Sequence, residues 1–313
     1  MNRKNLSVIK KYGIAVLLTW GCFAGCKEDT NSLPDTIKSG TIHISVDESF
    51  KPVIEEQIQV FEKSFPGTKI MAHYKTEADC LKDLFRDSSN RMIIVTRGLT
   101  DDEEEYLIDS LNYTPHWNDI ASDAIAIVVN SKSNDTLFDI DRLKNQLSGT
   151  AHREQTVVFD GLNATSTVRF AIDSILHGKK FDTSVVKAVK NSQEVLNYVA
   201  ENENAVGFVG ISWIGNPEDT AQVNMLRKIK IAYVACNGCI DSPYVKPMQL
   251  SILTKRYPLV RGLYYILKEN YDGLGTGFVN FMKYERGQLI FKRAYLGAKM
   301  GFGIRNVKIN EKL

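Results

Sequence analysis

Three segments of the sequence place hydroxyl-bearing side chains between a strand-like run and a helix-like run. They are residues 47–52 after IHISV, residues 97–100 after MIIV and Thr96, and residues 160–167 after a short apolar run. The first turn of a helix leaves N–H groups unpaired and has a partial positive charge, so it favours an anion. The three segments therefore indicate a candidate anion site.

The third segment gives the strongest of these signals. It reads Asn163-Ala164-Thr165-Ser166-Thr167, and the apolar residues that follow recur at spacings of three and four, as on the buried face of a helix. One hydroxyl is enough to cap a helix. Three hydroxyls favour ligand binding here, and plain capping stays open as the alternative.

Arg97 follows a buried strand at the edge where ligands of α/β sheets bind, and its guanidinium suits bidentate binding of an oxyanion. A surface salt bridge to the nearby acids is the alternative. For Thr100 we prefer a role as a helix cap to a role in ligand binding, because Thr100 and Glu103 have the spacing of a capping box. Arg169, early in the third helix, is a weaker candidate.

Patterns typical of catalysis and metal binding are missing from the sequence. There is no GxSxG, HExxH or GxxxxGK[ST] motif, and the five His residues have no ligand spacing. Residues 273–277, GLGTG, lack the strand before and the Lys-Ser/Thr after that define a phosphate loop, so a turn before a helix is preferred. We expect a protein that is not an enzyme and binds no metal or cofactor.

The elements that must position these loops alternate between strand-like and helix-like patterns, which predicts an α/β fold with mostly parallel, helix-covered strands. Strands are predicted at 42–46, 69–74, 92–96, 124–130, 156–159, 205–209, 230–235 and 248–253. Helices are predicted at 52–65, 78–85, 101–111, 140–147, 167–176 and in three stretches after Pro258. A length of 313 residues suggests about two domains.

The N-terminus is typical of a targeting segment. Residues 1–13 contain four basic residues and no acid, a short apolar run follows, and the stretch ends Phe23-Ala24-Gly25-Cys26, which resembles a bacterial lipobox. We expect residues 1–25 to be a lipoprotein signal peptide, Cys26 to carry the lipid, and residues 26–39 to form a flexible tether. Cleavage without lipidation is the alternative.

The small basic excess of the chain comes entirely from this segment. The formal net charge is +2, but without residues 1–25 the chain has 35 basic and 37 acidic residues, a net charge of −2. Nucleic-acid binders normally have a dense basic surface, so that class is disfavoured. Affinity for an anion must come from local groups.

Three cysteines remain after Cys22 and Cys26 are assigned to the signal peptide and the lipid. Cys236 and Cys239 form a CxxC pair, and no second pair completes a zinc site. In an oxidising compartment a small loop disulfide is preferred, and two free thiols remain the alternative.

Together these segments resemble the phosphate-binding proteins of phosphate ABC importers, which belong to the two-lobed periplasmic binding proteins. The resemblance covers about residues 40–297. Besides the three loops it rests on Phe65-Pro66-Gly67, on AVGFV at 205–209, which is similar to the family's IGYV, and on YPLVR at 257–261, which is similar to its YPLxR.

The resemblance implies two lobes, each a mostly parallel sheet flanked by helices, joined by two crossing strands at 124–130 and 248–253. Lobe 1 would comprise residues 40–122 and 248–313, and lobe 2 residues 123–247. An oxyanion would lie between the lobes. The implied ligand contacts are Ser49, Phe50, Thr96, Arg97, Asn163, Ala164, Thr165, Ser166 and Thr167.

Two positions depart from the family pattern. The second loop has Thr96-Arg97 where the family presents Ser-Asp, whose carboxylate accepts the proton of hydrogen phosphate, and the third loop lacks the Gly-Ser-Gly-Thr preceded by an Arg. We hypothesise that Arg97 supplies the missing cation. Discrimination against sulfate would then be weak, unless Asp47 or Glu48 takes over as acceptor.

The expected function is that of a lipoprotein outside the cytoplasm, a monomer on the periplasmic face or the outer-membrane surface. It would bind phosphate or a related tetrahedral oxyanion and deliver it to an ABC permease. The alternative is a binding-fold lipoprotein that no longer transports and acts as a sensor or a surface interaction protein. A hydrolase is least favoured, because no nucleophile–base pair is present in the motifs.

Overall fold

The computed structural model describes residues 35–150, 155–161, 164–240 and 243–301. The predicted signal peptide, Cys26 with its predicted lipid, most of the predicted tether, and Asn163 lie outside these residues.

The helices of the described residues are short, and most follow a strand. In chain order they are α1 (Lys51–Ser64), α2 (Glu77–Arg86), α3 (Asp101–Asp109), α4 (Ile140–Leu147), α5 (Ser166–Phe170, continued by a π-helical turn at Ala171–Ile175), α6 (Ser192–Glu201), α7 (Thr220–Met225), α8 (Gln249–Leu253), α9 (Leu274–Lys283) and α10 (Glu285–Arg293).

The strands form one large sheet and one small sheet. They are β1 (Gly40–Asp47), β2 (Thr68–Lys75), β3 (Asn90–Val95), β4 (His116–Asn130), β5 (Leu137–Phe138), β6 (Thr156–Phe159), β7 (Val186–Ala188), β8 (Ala205–Gly210), β9 (Ile229–Ile231), β10 (Tyr233–Ala235), β11 (Tyr244–Val245), β12 (Val260–Leu267) and β13 (Gly297–Ala298).

The large sheet has two parts that share strand β4. Its strands follow the order β2-β1-β3-β12-β4-β8-β6-β7, with β13 and β9 added beside β4. Residues 116–124 of β4 pair antiparallel with β12, and residues 125–129 pair antiparallel with β8. We call the strands on the β12 side the first half-sheet and those on the β8 side the second half-sheet.

Within each half-sheet, parallel strands place their following loops along one edge. β1 pairs in parallel with β2 and β3, and β6 pairs in parallel with β7 and β8. The loops after β1, β3 and β6 are the three hydroxyl-bearing segments of the sequence. The predicted α/β fold is confirmed, and it places these segments at the strand ends where open α/β sheets bind ligands.

The core lies where β4 changes from one half-sheet to the other. Residues 124–130 of β4 are all buried, as expected for a continuous apolar strand that is covered on both faces. In the first half-sheet Phe61 of α1 packs against Phe278 and Phe281 of α9, with ring centroids 5.2 and 5.4 Å apart. Helix α9 thus fixes α1, and with it the loop before α1.

The predicted strand at 248–253 is wrong. These residues form helix α8, and Ser251 Oγ accepts from the Met248 N–H at 2.9 Å, which closes its first turn. The first of the three helical stretches predicted after Pro258 is also wrong, because it is strand β12, beside β4. Residues 248–253 (MQLSIL) alternate apolar and polar side chains as a strand does, but six residues are too few for this period to be decisive. Residues 260–267 form a strand because they pair with β4.

Two smaller features of the sequence, the GLGTG run and the CxxC pair, are resolved by local contacts. Helix α9 begins one residue after Gly273, and Glu269 accepts from the N–H groups of Gly275 and Thr276, both at 3.0 Å. The GLGTG run is therefore a helix start occupied by a carboxylate of the protein. Cys236 and Cys239 are paired as a disulfide with their Cα atoms 5.7 Å apart.

Candidate functional site

A buried arginine lies at the centre of the strand-end edge. Arg261, near the start of β12, donates from Nε to Asp123 Oδ2 at 2.7 Å. Its Nη1 donates to Ser166 Oγ at 2.8 Å and its Nη2 to Ser49 Oγ at 2.9 Å. One guanidinium thus joins the loop after β1 to the loop after β6, that is, the first half-sheet to the second. We call Arg261, Asp123, Ser49, Ser166 and Asp47 the Arg261 cluster.

The strand pairing fixes the charge of Arg261. Arg261 and Asp123 are direct partners in the antiparallel register of β12 and β4, and the Asp123 side chain is fully buried. Burial by itself would lower the pKa of Arg261, but the charges of Asp123 and Asp47 outweigh it and hold the pKa above its ordinary value. Arg261 is therefore a permanent cation in a dry site.

The first loop is held by a carboxylate at the end of β1. Asp47 Oδ1 accepts from the Ser49 N–H at 2.9 Å and from Ser49 Oγ at 2.8 Å. The Phe50 ring lies against the guanidinium, with its centroid 5.2 Å from Arg261 Cζ. At the end of β8 a Cβ on Gly210 would lie 3.1 Å from the Ser49 carbonyl and 3.3 Å from Arg261 Nη2, so a glycine permits this close approach.

In the third loop only one of the three hydroxyls joins the cluster. Ser166 Oγ lies 2.8 Å from Arg261 Nη1 and 3.4 Å from Ser49 Oγ. Thr165 caps helix α5 through the Val168 N–H and donates to Asp160 Oδ1 at 2.8 Å, and Thr167 Oγ1 donates to Asp160 Oδ2 at 3.3 Å. The capping alternative thus describes Thr165, while Ser166 has a position suited to a ligand.

Ala164, in the same loop, contributes its backbone. Its carbonyl accepts from the Ala78 N–H at 3.3 Å, in the first turn of α2. The third loop therefore lies directly against the first half-sheet.

The second loop forms a separate ionic cluster beside the first. Buried Glu77 accepts from the Thr96 N–H at 2.9 Å and from Arg169 Nε at 2.6 Å, and Arg169 Nη2 also donates to Thr96 Oγ1 at 2.7 Å. Burial opposes ionisation of Glu77, but the hydrogen bonds and charge of Arg169 outweigh it and lower its pKa. Arg169 therefore bridges the half-sheets, and Thr96 is engaged with protein groups.

Arg97 does not join either cluster. Its two terminal nitrogens donate to the two carboxylate oxygens of Glu103, both at 2.7 Å, and Nη1 also donates to the Gly98 carbonyl at 2.9 Å. Glu103 also completes the capping box predicted with Thr100. Arg97 therefore forms the surface salt bridge that the sequence left open as the alternative. Helix α3 begins only four residues after Arg97, which brings the carboxylate of Glu103 within reach.

Asp47 has one carboxylate oxygen free for another partner. Its side chain is 2% exposed, and Oδ2 has no hydrogen-bond partner within the described ranges. Burial raises the pKa of Asp47 to about 6, against the opposing charge of Arg261. A buried acceptor beside two hydroxyls and a guanidinium can bind a group that has both negative charge and a proton.

Glu48 links the first loop to the second half-sheet. Its Oε2 accepts from Ser192 Oγ at 2.7 Å, at the first residue of helix α6. Burial raises the pKa of Glu48 to about 7, although the hydrogen bond from Ser192 acts in the opposite direction. Burial likewise raises the pKa of Asp160. The site therefore combines one permanent cation with carboxyl groups that ionise reluctantly.

The sequence located the loops but missed the centre of the site. In the sequence Arg261 is recognisable only as the last residue of YPLVR, and no motif marks Asp123. An acid and a base at the ends of two apolar strands are a weak signal, since only the register of β12 on β4 makes them partners. Among the described residues no group of three His, Cys, Asp or Glu side chains could hold a metal ion.

The described helices include none that is both long and apolar enough to cross a bilayer.

Sequence comparison identifies one family. Residues 33–285 match a family model described as a PBP superfamily domain. No curated protein matches the sequence significantly.

Many solved structures share the fold at low sequence identity. A candidate phosphate ABC transporter substrate-binding protein from Clostridium perfringens, solved with bound phosphate, is 18% identical, with a TM-score of 0.66 over 83% of this chain and 100% of that chain. An ABC-type phosphate transport receptor from Vibrio cholerae is also 18% identical, with a TM-score of 0.58 over 83% of this chain and 100% of that chain.

A regulatory domain has the same fold. The CcmR regulatory domain of Synechocystis PCC6803, in complex with 2-PG, is 9% identical, with a TM-score of 0.51 over 78% of this chain and 96% of that chain. At these identities the likeness shows the fold alone.

Proposed function

The chain belongs to the PBP superfamily, and we propose that it binds phosphate or a related tetrahedral oxyanion at the Arg261 cluster and delivers it to an ABC permease. The proposal includes a lipid on Cys26 that tethers the protein to the cell envelope, outside the cytoplasm, and a monomeric state. The two lobes would be residues 40–122 with 248–313, and residues 123–247. No step requires covalent chemistry.

The observation that supports this function most directly is the set of groups around Asp47 Oδ2. Ser166 can donate through its hydroxyl, whereas the Ser49 hydroxyl already donates to Asp47 Oδ1. Arg261 provides a desolvated positive charge within 3 Å of both hydroxyl oxygens. Charge-assisted hydrogen bonds of this kind are about twice as strong as neutral ones. An oxyanion here would receive its donors from both half-sheets at once.

Ligand binding is tested with a panel of oxyanions. A ligand that binds only the folded state at 100 times its dissociation constant stabilises that state by about 2.7 kcal/mol. We expect inorganic phosphate to raise the melting temperature in a concentration-dependent way. The absence of a shift with any anion would contradict the proposal and favour a sensor or surface interaction protein.

Delivery to a permease is a separate part of the proposal. Genes for an ABC permease and its ATPase next to the gene for this chain would support it. An isolated gene, together with tight phosphate binding, would favour a phosphate sensor.

Asp47 is expected to make the site prefer phosphate to sulfate. The ionised carboxylate can accept the P–O–H proton of hydrogen phosphate, whereas sulfate has no proton to donate and is repelled. A hydrogen bond to a charged group contributes about 1.5–3 kcal/mol, so we expect Asp47→Asn to weaken phosphate binding about 10- to 100-fold. Titration calorimetry with both anions on both proteins measures this effect.

The exposed Asp109→Asn, at the end of helix α3, serves as the control for that substitution, and we expect it to leave both affinities unchanged. Equal phosphate and sulfate affinity in the unsubstituted protein would show that Asp47 does not discriminate.

Arg97→Gln is expected to change phosphate affinity by less than about twofold, because the guanidinium is already paired with Glu103. The pair is partly exposed, so its loss should cost about 0.5–1 kcal/mol of the free energy of unfolding. Calorimetry and urea denaturation measure the two effects. A tenfold loss of phosphate affinity would return Arg97 to the ligand site.

A further inference from the structure

The Arg261 cluster adjoins a cavity far larger than an oxyanion. The cavity has a volume of about 1080 Å³. Of the Arg261 cluster Asp47 alone lines it, and Asp160, Thr165 and Ser212 line it nearby. Pockets of about 300–1,000 Å³ hold organic ligands of drug size. An inorganic phosphate of five heavy atoms would leave most of this space to water.

Three unpaired buried polar atoms belong to residues that line the cavity. Within the described ranges eight buried side-chain atoms have no hydrogen-bond partner, and three of them are Asp47 Oδ2, Tyr74 Oη and Trp213 Nε1. A buried donor or acceptor without a partner costs about 1–3 kcal/mol. The three residues line the cavity, although these three atoms themselves have almost no accessible surface, so a ligand body that reached them would extend beyond the Arg261 cluster.

The remainder of the lining favours a neutral, hydroxylated partner. Apart from Asp47, the lining includes six carboxyl groups and four lysines. Burial raises the pKa of two of these carboxyl groups, Glu48 and Asp160, and the formal charges of the other four balance the four lysines. Six Asn and Gln side chains lie among them, for example Asn191 and Gln222. Amides donate and accept, as hydroxyl groups do, and Tyr and Trp combine an apolar ring with one polar atom.

We propose that the ligand of this site is a phosphomonoester with a hydroxylated, sugar-like body. Its phosphate group would bind at the Arg261 cluster and its body would fill the cavity towards Tyr74 and Trp213. This inference rests on the proposed function, because it assigns the same cluster to the phosphate group.

Calorimetry with four probes tests the inference: inorganic phosphate, glucose 6-phosphate, glycerol 3-phosphate and phosphoethanolamine. We expect at least one of the two hydroxylated esters to bind ten or more times more tightly than inorganic phosphate, and phosphoethanolamine to show no such gain. Inorganic phosphate binding as tightly as both esters would overturn the inference and leave the proposed function standing. Tightest binding of phosphoethanolamine would overturn the hydroxylated body. Failure of all four probes would overturn both.

The variant Tyr74→Phe tests the position of the body. It removes only the unpaired Oη, so the stability of the free protein should not fall, and inorganic phosphate affinity should not change. We expect a loss of about fivefold in affinity for the tighter ester. The buried Tyr265, which does not line the cavity, provides the matched control Tyr265→Phe. Unchanged ester affinity in Tyr74→Phe and Trp213→Phe alike would show that no ligand body reaches these residues.

Discussion

Replacing Arg261 by methionine is expected to abolish phosphate binding and to lower the free energy of unfolding by about 3–5 kcal/mol. The substitution leaves the Asp123 carboxylate fully buried without its cation, and it removes the donor that connects Ser49 to Ser166. Urea denaturation measures the stability and calorimetry the binding.

The double variant Arg261→Met, Asp123→Leu separates the two effects. Replacing a whole buried ion pair by apolar residues is often neutral or stabilising, so we expect most of the lost stability to return. Phosphate binding should not return, because the cation is still missing. Phosphate affinity retained in Arg261→Met would contradict both the site and its assigned centre.

The free energy of unfolding is expected to fall as the pH rises from about 4.5 to about 7. Burial raises the pKa of Glu48 from 4.5 to about 7, so in this range the folded protein holds a proton that the unfolded chain has released. The folded state therefore binds more protons, and its stability decreases with pH until Glu48 is ionised in both states. At 1.36 kcal/mol per pKa unit, Glu48 alone accounts for about 3 kcal/mol.

The variant Glu48→Gln isolates this contribution. Its amide oxygen can still accept from Ser192 but does not titrate, so we expect the difference in stability between pH 5.5 and pH 7.5 to shrink by about 2 kcal/mol. Asp47, whose pKa is raised to about 6, maintains part of the slope. The exposed Glu201→Gln should leave the slope unchanged. An equal slope in Glu48→Gln would show that Glu48 is already ionised across this range.

Local sequence patterns predicted much of the fold. Helix α1 and strands β1, β2 and β3 lie within two residues of the predicted ranges, because period and capping residues are local properties. The capping box of Thr100 and Glu103 could be predicted for the same reason. The errors at 248–253 and after Pro258 fell on segments of six and eight residues, which are too short for their periodicity to separate a helix from a strand.

The candidate site was predicted less completely than the fold. The hydroxyl oxygens of Ser49 and Ser166 lie 3.4 Å apart, although their loops belong to different half-sheets. Thr96 and Thr165, however, are engaged with protein carboxylates, and the sequence could not distinguish them from Ser166 because all are hydroxyls beside a helix start.

The sequence alone determined that any anion site must be local, since the chain without residues 1–25 has a net charge of −2. It also indicated which three loops have the hydroxyl groups, but the loop after β6 meets the loops after β1 and β3 only because β4 joins the two half-sheets. Only the tertiary structure decided which guanidinium lies among them. Arg97 forms an ion pair with Glu103, six residues away in the chain. Arg261 instead donates to Ser49 and Ser166, because the pairing of β12 with β4 places it between their loops. A side chain's partner depends on strand register, which no local spacing determines.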